Sequence, residues 1–107
     1  MTVQPLSGPK DTLSTPIQLP QELEVVARCE SGNRHFDGAG SILRGRYNRN
    51  DIGLFQINEI IWGKKAQELE LNIYSLEGNK AMALWIYDNY GLNPWRHSFN
   101  CWKYGRR

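Results

Sequence analysis

The sequence predicts a mostly α-helical domain with a small β element. Three observations predict it. Apolar residues recur at helical spacing in three separate stretches, 20–30, 54–71 and 75–90. Helix punctuation brackets them, with Pro20 and Ser75 at starts and Gly32 and Gly91 at ends. Strand signals are confined to the polar, glycine-bearing run between the first two stretches. Of the 107 residues 40% are hydrophobic, enough for one modest core but not two, so a single domain is expected.

Taken in order, residues 1–19 carry Pro5, Pro9 and Pro16 among Ser, Thr and Gly, with few large apolar groups and no period. They read as a flexible N-terminal segment, leaving 20–107 as the folded domain. Pro20 suits the first turn of a helix that runs to Glu30. Leu23, Val26 and Ala27 form its apolar stripe, with Glu22, Glu24 and Arg28 off it. Residues 33–51, with Gly38, Gly40 and Gly45, predict a loop with a short β-hairpin around Gly45–Asp51. Leu54 to Leu71 predicts a second helix, with Ile57, Ile60, Ile61, Ala66 and Leu69 on its buried side and a break near Gly63. Ser75 predicts an N-cap, followed by Glu77 in the first turn. Ala83, Ile86, Tyr87 and Tyr90 extend a buried stripe to the stop at Gly91. Pro94–Trp102 predicts a short aromatic-rich turn or helix packed back on the core. The four tryptophans, Trp62, Trp85, Trp95 and Trp102, are assigned to packing, because aromatic rings carry most of a small core's buried area.

Charge and cysteine content narrow the function. A net charge of +2 is too weak to argue for nucleic acid. The basic run Arg44-Gly45-Arg46-Tyr47-Asn48-Arg49 is short, and contact with substrate carboxylates is the better use for it. No stretch reaches the length of a membrane span, and the first residues lack the basic start and apolar core of a signal peptide. Cys29 and Cys101 are not a CxxC pair and have no histidines at metal spacing, so no zinc site is expected. They predict one long-range disulfide closing a loop of about 70 residues, worth roughly 4 kcal/mol in the chain-entropy model. The alternative is two buried free thiols. A disulfide would place the protein in an oxidising, extracytoplasmic compartment. His35 and His97 are isolated in the sequence and carry no expected role.

Two stretches carry chemistry. In Cys29-Glu30-Ser31-Gly32-Asn33, Glu30 lies four residues past Val26 and three past Ala27, on the apolar face of its helix. A carboxyl there loses solvation, which favours its neutral form and suits a general acid. The bland alternative is a surface carboxylate beside a plain helix stop. In Asp51-Ile52-Gly53-Leu54-Phe55-Gln56-Ile57-Asn58, Gly53 permits a tight approach or a positive φ. Gln56 and Asn58 are amides that donate and accept at once, as sugar hydroxyls and acetamido groups require.

Together these stretches resemble the lysozyme-like superfamily of peptidoglycan-cleaving enzymes. Glu30-Ser31-Gly32 followed by Gly53-Leu54-Phe55-Gln56-Ile57-Asn58 looks most like the lytic transglycosylases, over residues 21–102. The resemblance implies a small α-rich fold with a cleft between a helical lobe and a lobe holding a small β element. It implies cleavage of the β-1,4 bond between N-acetylmuramic acid and N-acetylglucosamine, with Glu30 as catalytic acid, Ser31 and Gln56 in the cleft, and no cofactor. The expected partner is the peptidoglycan glycan strand, met by a monomer. Asn58 and the loop residue Tyr47 join the candidate sugar-binding set.

The chain departs from that family twice. Its Ala-Tyr-Asn motif is absent in that form, and its tyrosine falls to Tyr87 or Tyr90; Tyr90 enters the substrate-binding set. Asp51 also stands where transglycosylases carry a small residue, and Asp-x-Gly-x-x-Gln-Ile-Asn resembles C-type lysozymes, whose aspartate is the second catalytic carboxylate. Two mechanisms follow. Asp51 assists hydrolysis, or the muramic acid 6-hydroxyl attacks and leaves a 1,6-anhydro product; the Glu-Ser-Gly and Gly-Leu-Phe-Gln signatures favour the second. A non-catalytic glycan-binding module is the rival of another class, and a desolvated acid argues against it.

Overall fold

The computed structural model describes residues 17–104. The predicted flexible segment 1–19 falls outside the described residues except for its last three positions. The first element is helix α1 (Gln21–Ser31). Pro20 stands one position outside it, as N-cap at φ −58°, rather than in the first turn. Its carbonyl accepts from Leu23 N–H (3.0 Å) and Glu24 N–H (3.2 Å). Leu23, Val25, Val26 and Ala27 are buried. Gly32 ends the helix in the left-handed region at φ 67°, a conformation that costs a residue without Cβ nothing.

The chain then wanders through a loop pinned by two isolated antiparallel bridges, Phe36 with Ile42 and Arg44 with Ile52. The only regular ladder among the described residues pairs β1 (Asp51–Ile52) with β2 (Ile57–Asn58), antiparallel, in the register Asp51 to Asn58 and Ile52 to Ile57. The predicted hairpin at Gly45–Asp51 is present only as the single Arg44–Ile52 bridge, and the regular ladder comes one turn later. Residues 45–51 form a turn, closed by Gly45 N–H to the Asp51 carbonyl at 2.9 Å. The ladder instead brackets the Gly53–Gln56 turn, where Leu54 and Phe55 are buried.

Helix α2 (Glu59–Glu68) starts well after the predicted Leu54. Asn58 stops it from extending backwards, since its side-chain oxygen accepts from Ile60 N–H and Ile61 N–H, both at 3.0 Å. This resets the helical phase. Ile57 is buried from a strand, Ala66 is buried from the helix, and Ile60 and Ile61 are 73% and 70% exposed, against the prediction. Gly63 lies inside α2 without breaking it.

Helix α3 (Leu76–Tyr90) begins at the expected cap, with Ser75 Oγ accepting from Gly78 N–H at 3.0 Å. Asn79, Met82, Ala83 and Ile86 are its buried face. Tyr90 is 54% exposed and leaves the buried stripe one turn early. A 3₁₀ segment (Asn93–Ser98) and helix α4 (Phe99–Tyr104) then turn back and pack on α1. A disulfide joins Cys29 to Cys101 across 72 positions, with Cα atoms 5.9 Å apart. Leu23, Val26, Ile52, Phe55, Met82 and Ile86 form the centre of one core that α1, the ladder and α3 share. No helix among the described residues is long and apolar enough to cross a membrane.

Candidate active site

The site is built on the turn between β1 and β2. Gly53 has φ +72°, and a Cβ there would lie 2.4 Å from His35 Cε1 and 2.9 Å from Asn79 Nδ2. Both conformation and space thus demand glycine. The turn's polar backbone is satisfied by side chains brought from elsewhere in the chain. Leu54 N–H donates to His35 Nδ1 at 3.0 Å, and His35 Nε2 faces the Tyr74 carbonyl at 2.9 Å. This arrangement requires the tautomer with its hydrogen on Nε2. Asn79, fully buried, accepts from Phe55 N–H and donates to the Ile52 and Ile73 carbonyls. Trp95 Nε1–H donates to the Phe55 carbonyl at 3.0 Å. His35, given no role from sequence, is a structural clamp.

This frame aims Gln56 and Asp51 at an open cleft of about 590 Å³, whose walls include Asp51, Gln56, Asn58, Trp62, Tyr90 and His97. Gln56 is held at φ 51°, an uncommon value for a side-chain-bearing residue. Its Nε2–H bond to the Gly53 carbonyl, 3.0 Å, offsets that strain. Asp51 accepts from Asn58 Nδ2–H at 3.0 Å through one oxygen. The Asn58 amide is thereby committed to protein groups, Asp51 on one side and the α2 N-terminus on the other. Trp62 and Tyr90 stack edge-on with ring centroids 5.4 Å apart, and Trp85 backs both at 6.4 Å and 6.1 Å.

Glu30 lies at the end of α1, its side chain only 5% exposed. Ser98 Oγ–H donates to Oε2 at 2.6 Å. His97 Nε2 lies 3.1 Å from Oε1 and 3.0 Å from Oε2. His97 is itself a cleft-wall residue with a 64% exposed side chain, so the imidazole is where this cluster meets the cleft.

The other predicted residues divide. Ser31 is buried and spends its hydroxyl on the helix end, donating to the Ala27 carbonyl and accepting from Arg34 N–H. It is not part of the cleft wall. Tyr47 is 96% exposed on the 45–51 turn, outside that wall. Gln56, Asp51, Asn58 and Tyr90 share the cleft. Sequence reasoning missed His97 and Ser98. The signal was present: both lie within four residues of Cys101, whose partner Cys29 adjoins Glu30.

Outside the cleft wall a second polar cluster ties α2 to the α3 approach. Arg44 Nη1 donates to Glu59 Oε2 at 2.9 Å, and Tyr74 O–H donates to Glu59 Oε1. The tyrosine bond, then the arginine, holds the Glu59 carboxyl below its ordinary range. The same bond raises the Tyr74 phenol above its own. Among the described residues no three His, Cys, Asp or Glu side chains converge to hold a metal ion.

No family model, curated protein or solved structure matches the chain. A functional conclusion therefore depends on its residues and their geometry.

Proposed function

We propose that residues 20–107 form a lysozyme-like domain that cleaves the β-1,4 bond between N-acetylmuramic acid and N-acetylglucosamine in peptidoglycan, by the lytic transglycosylase route. The observation that carries this reading is the Glu30 carboxyl, almost wholly withdrawn from solvent and hydrogen-bonded by Ser98 and by His97, which lines the open cleft whereas Glu30 itself does not. A binding-only groove has no use for such a group, whereas bond cleavage needs a positioned acid. The cleft's aromatic wall at Trp62 and Tyr90 and its amide at Gln56 suit sugar rings and acetamido groups.

In this mechanism Glu30 gives its proton to the glycosidic oxygen as the bond to the anomeric carbon breaks. The muramic acid 6-hydroxyl then attacks that carbon and returns its proton to Glu30, closing a 1,6-anhydro ring without water. One observation favours a second route. Asp51 lines the same cleft with one oxygen free of Asn58, as a second carboxylate for hydrolysis would. The disulfide and the substrate both suit an extracytoplasmic location.

The test is digestion of purified peptidoglycan followed by mass spectrometry of soluble products. Wild-type protein should release muropeptides. Glu30→Gln should release them roughly 10²–10⁴-fold more slowly, the usual worth of general acid catalysis. No soluble product from wild type, or more than about a tenth of its rate from Glu30→Gln, would sink the reading.

A further inference from the structure

We infer that Ser98 is a positioning residue that pins one oxygen of Glu30, leaving the other to work, and that His97 is the group the substrate displaces from that working oxygen. The inference depends on Glu30 being the acid.

The two partners of the carboxyl differ in kind. Ser98 Oγ approaches Oε2 alone, at 2.6 Å, from a half-buried position. An acid–base residue passes through a protonated and an ionised form in each cycle. A hydroxyl donating to Oε2 fits both, because Oε2 is a carbonyl oxygen in the acid with its proton on Oε1, and half of the carboxylate once that proton has left. Holding Oε2 in this way assigns the transferable proton to Oε1. A fixed orientation matters because proton transfer needs donor and acceptor within hydrogen-bond reach along a defined line.

His97 Nε2 straddles the carboxyl, 3.1 Å from Oε1 and 3.0 Å from Oε2. Its side chain is 64% exposed and forms part of the cleft wall, while that of Glu30 is 5% exposed. A glycosidic oxygen reaching Oε1 from the cleft must take the place that the imidazole holds. The exposed imidazole has solvent to move into, whereas Ser98 is half-buried beside the carboxyl. Helix α4, which follows the 3₁₀ segment carrying both residues without a break, is tied to the Glu30 helix by Cys29–Cys101, so Ser98 keeps its place when His97 swings out.

The two roles predict opposite kinetic signatures on soluble, uncross-linked peptidoglycan strands. Ser98→Ala should lower kcat at least about tenfold, the worth of a charge-assisted hydrogen bond, with KM little changed. Ser98→Thr and Ser98→Val add the same bulk and differ in the hydroxyl, so Thr should exceed Val in kcat by a similar factor even where alanine disturbs the fold. His97→Ala should lower KM by on the order of fivefold, since the substrate no longer competes with a hydrogen bond. Equal kcat for Thr and Val, or a KM for His97→Ala that is unchanged or raised, would overturn the inference. Glu30→Gln measured alongside separates the failures. If it is inactive while Ser98→Val matches Ser98→Thr, only this inference falls; if it is active, the assignment of the acid falls and this inference with it.

Discussion

Ser98 and Glu30, 68 positions apart, meet at 2.6 Å, and each lies beside one end of the same disulfide. Cys29 precedes Glu30 directly, and Cys101 follows Ser98 by less than one helical turn. The covalent link therefore closes a long loop next to this contact, and on the proposed function its loss should also loosen the contact. Replacing both cysteines by serine should cost about 2–5 kcal/mol in unfolding free energy, the usual range for a native disulfide in a small domain. The second effect should appear below the variant's melting temperature, where the protein is still folded. There, on the proposed function, kcat for peptidoglycan cleavage should fall together with the loss of the Ser98 bond. Denaturant melts and rates on the same preparation check both, and an unchanged rate in folded protein would mean that packing of the 3₁₀ segment on α1 suffices to hold Ser98.

The turn that carries the cleft residues should tolerate substitution poorly. Gly53→Ala adds a methyl 2.4 Å from His35 Cε1 at a φ of +72°. Strain and overpacking each cost about 1–3 kcal/mol, so a loss of roughly 2–6 kcal/mol is expected. Asn79→Ala should cost about as much, because it leaves buried backbone groups at Ile52, Phe55 and Ile73 without their partner. Urea titrations measure both. A loss under about 1 kcal/mol for Gly53→Ala would mean that the turn can relax.

Much of this frame was readable in the sequence where local rules act alone. Pro20, Ser75, Gly32 and Gly91 mark helix ends because capping is decided within a few residues. The error at residues 54–58 came from competition between local and distant partners. Leu54 and Ile57 have helical spacing, but His35, Asn79 and Trp95 offer the turn's backbone better-placed partners from 19, 24 and 40 positions away. No window of sequence contains such bonds. The same holds at the candidate site. Glu30 stood out by its place on an apolar stripe, whereas Ser98 and His97 gain their meaning only once the disulfide folds the C-terminal segment over α1.

Stability should respond to pH through Glu59 and Tyr74, and in opposite senses at the two extremes. The hydrogen bond from Tyr74, followed by Arg44, lowers the Glu59 carboxyl from its ordinary 4.5. Its contribution is therefore present above about pH 4.5 and lost as pH falls through the lower folded value. The bond to Glu59 raises the Tyr74 phenol from 10.0. That contribution is present below about pH 10 and lost as pH rises through the higher folded value. Tyr74→Phe removes the shared bond. The stability gap between wild type and this variant should be widest between about pH 5 and 9 and should shrink at both ends. Thermal melts across that range test the sign, and a gap that widens in acid would contradict the assignment.

On the proposed function, Asp51 separates the two chemical routes. One of its oxygens accepts from Asn58 Nδ2–H at 3.0 Å, which anchors the carboxylate to the far strand of the ladder. The carboxyl still lines the cleft. If the enzyme hydrolyses, the free oxygen must meet the anomeric carbon as an ionised nucleophile or stabiliser, and Asp51→Asn removes the charge on which that depends. Nearly all activity would then disappear, and wild-type products would end in reducing muramic acid. In the transglycosylase route the substrate's own hydroxyl does this work, and Asp51 serves the turn. An amide at this position keeps an oxygen to accept from Asn58, so the ladder and the placement of Gln56 survive the substitution. Asp51→Asn should accordingly retain substantial activity. Its products, like those of wild type, should be about 18 Da lighter than hydrolytic ones, having formed without water. Mass spectrometry of a wild-type digest reads the outcome directly: anhydro ends are expected, and reducing ends alone would assign Asp51 as the second catalytic carboxylate.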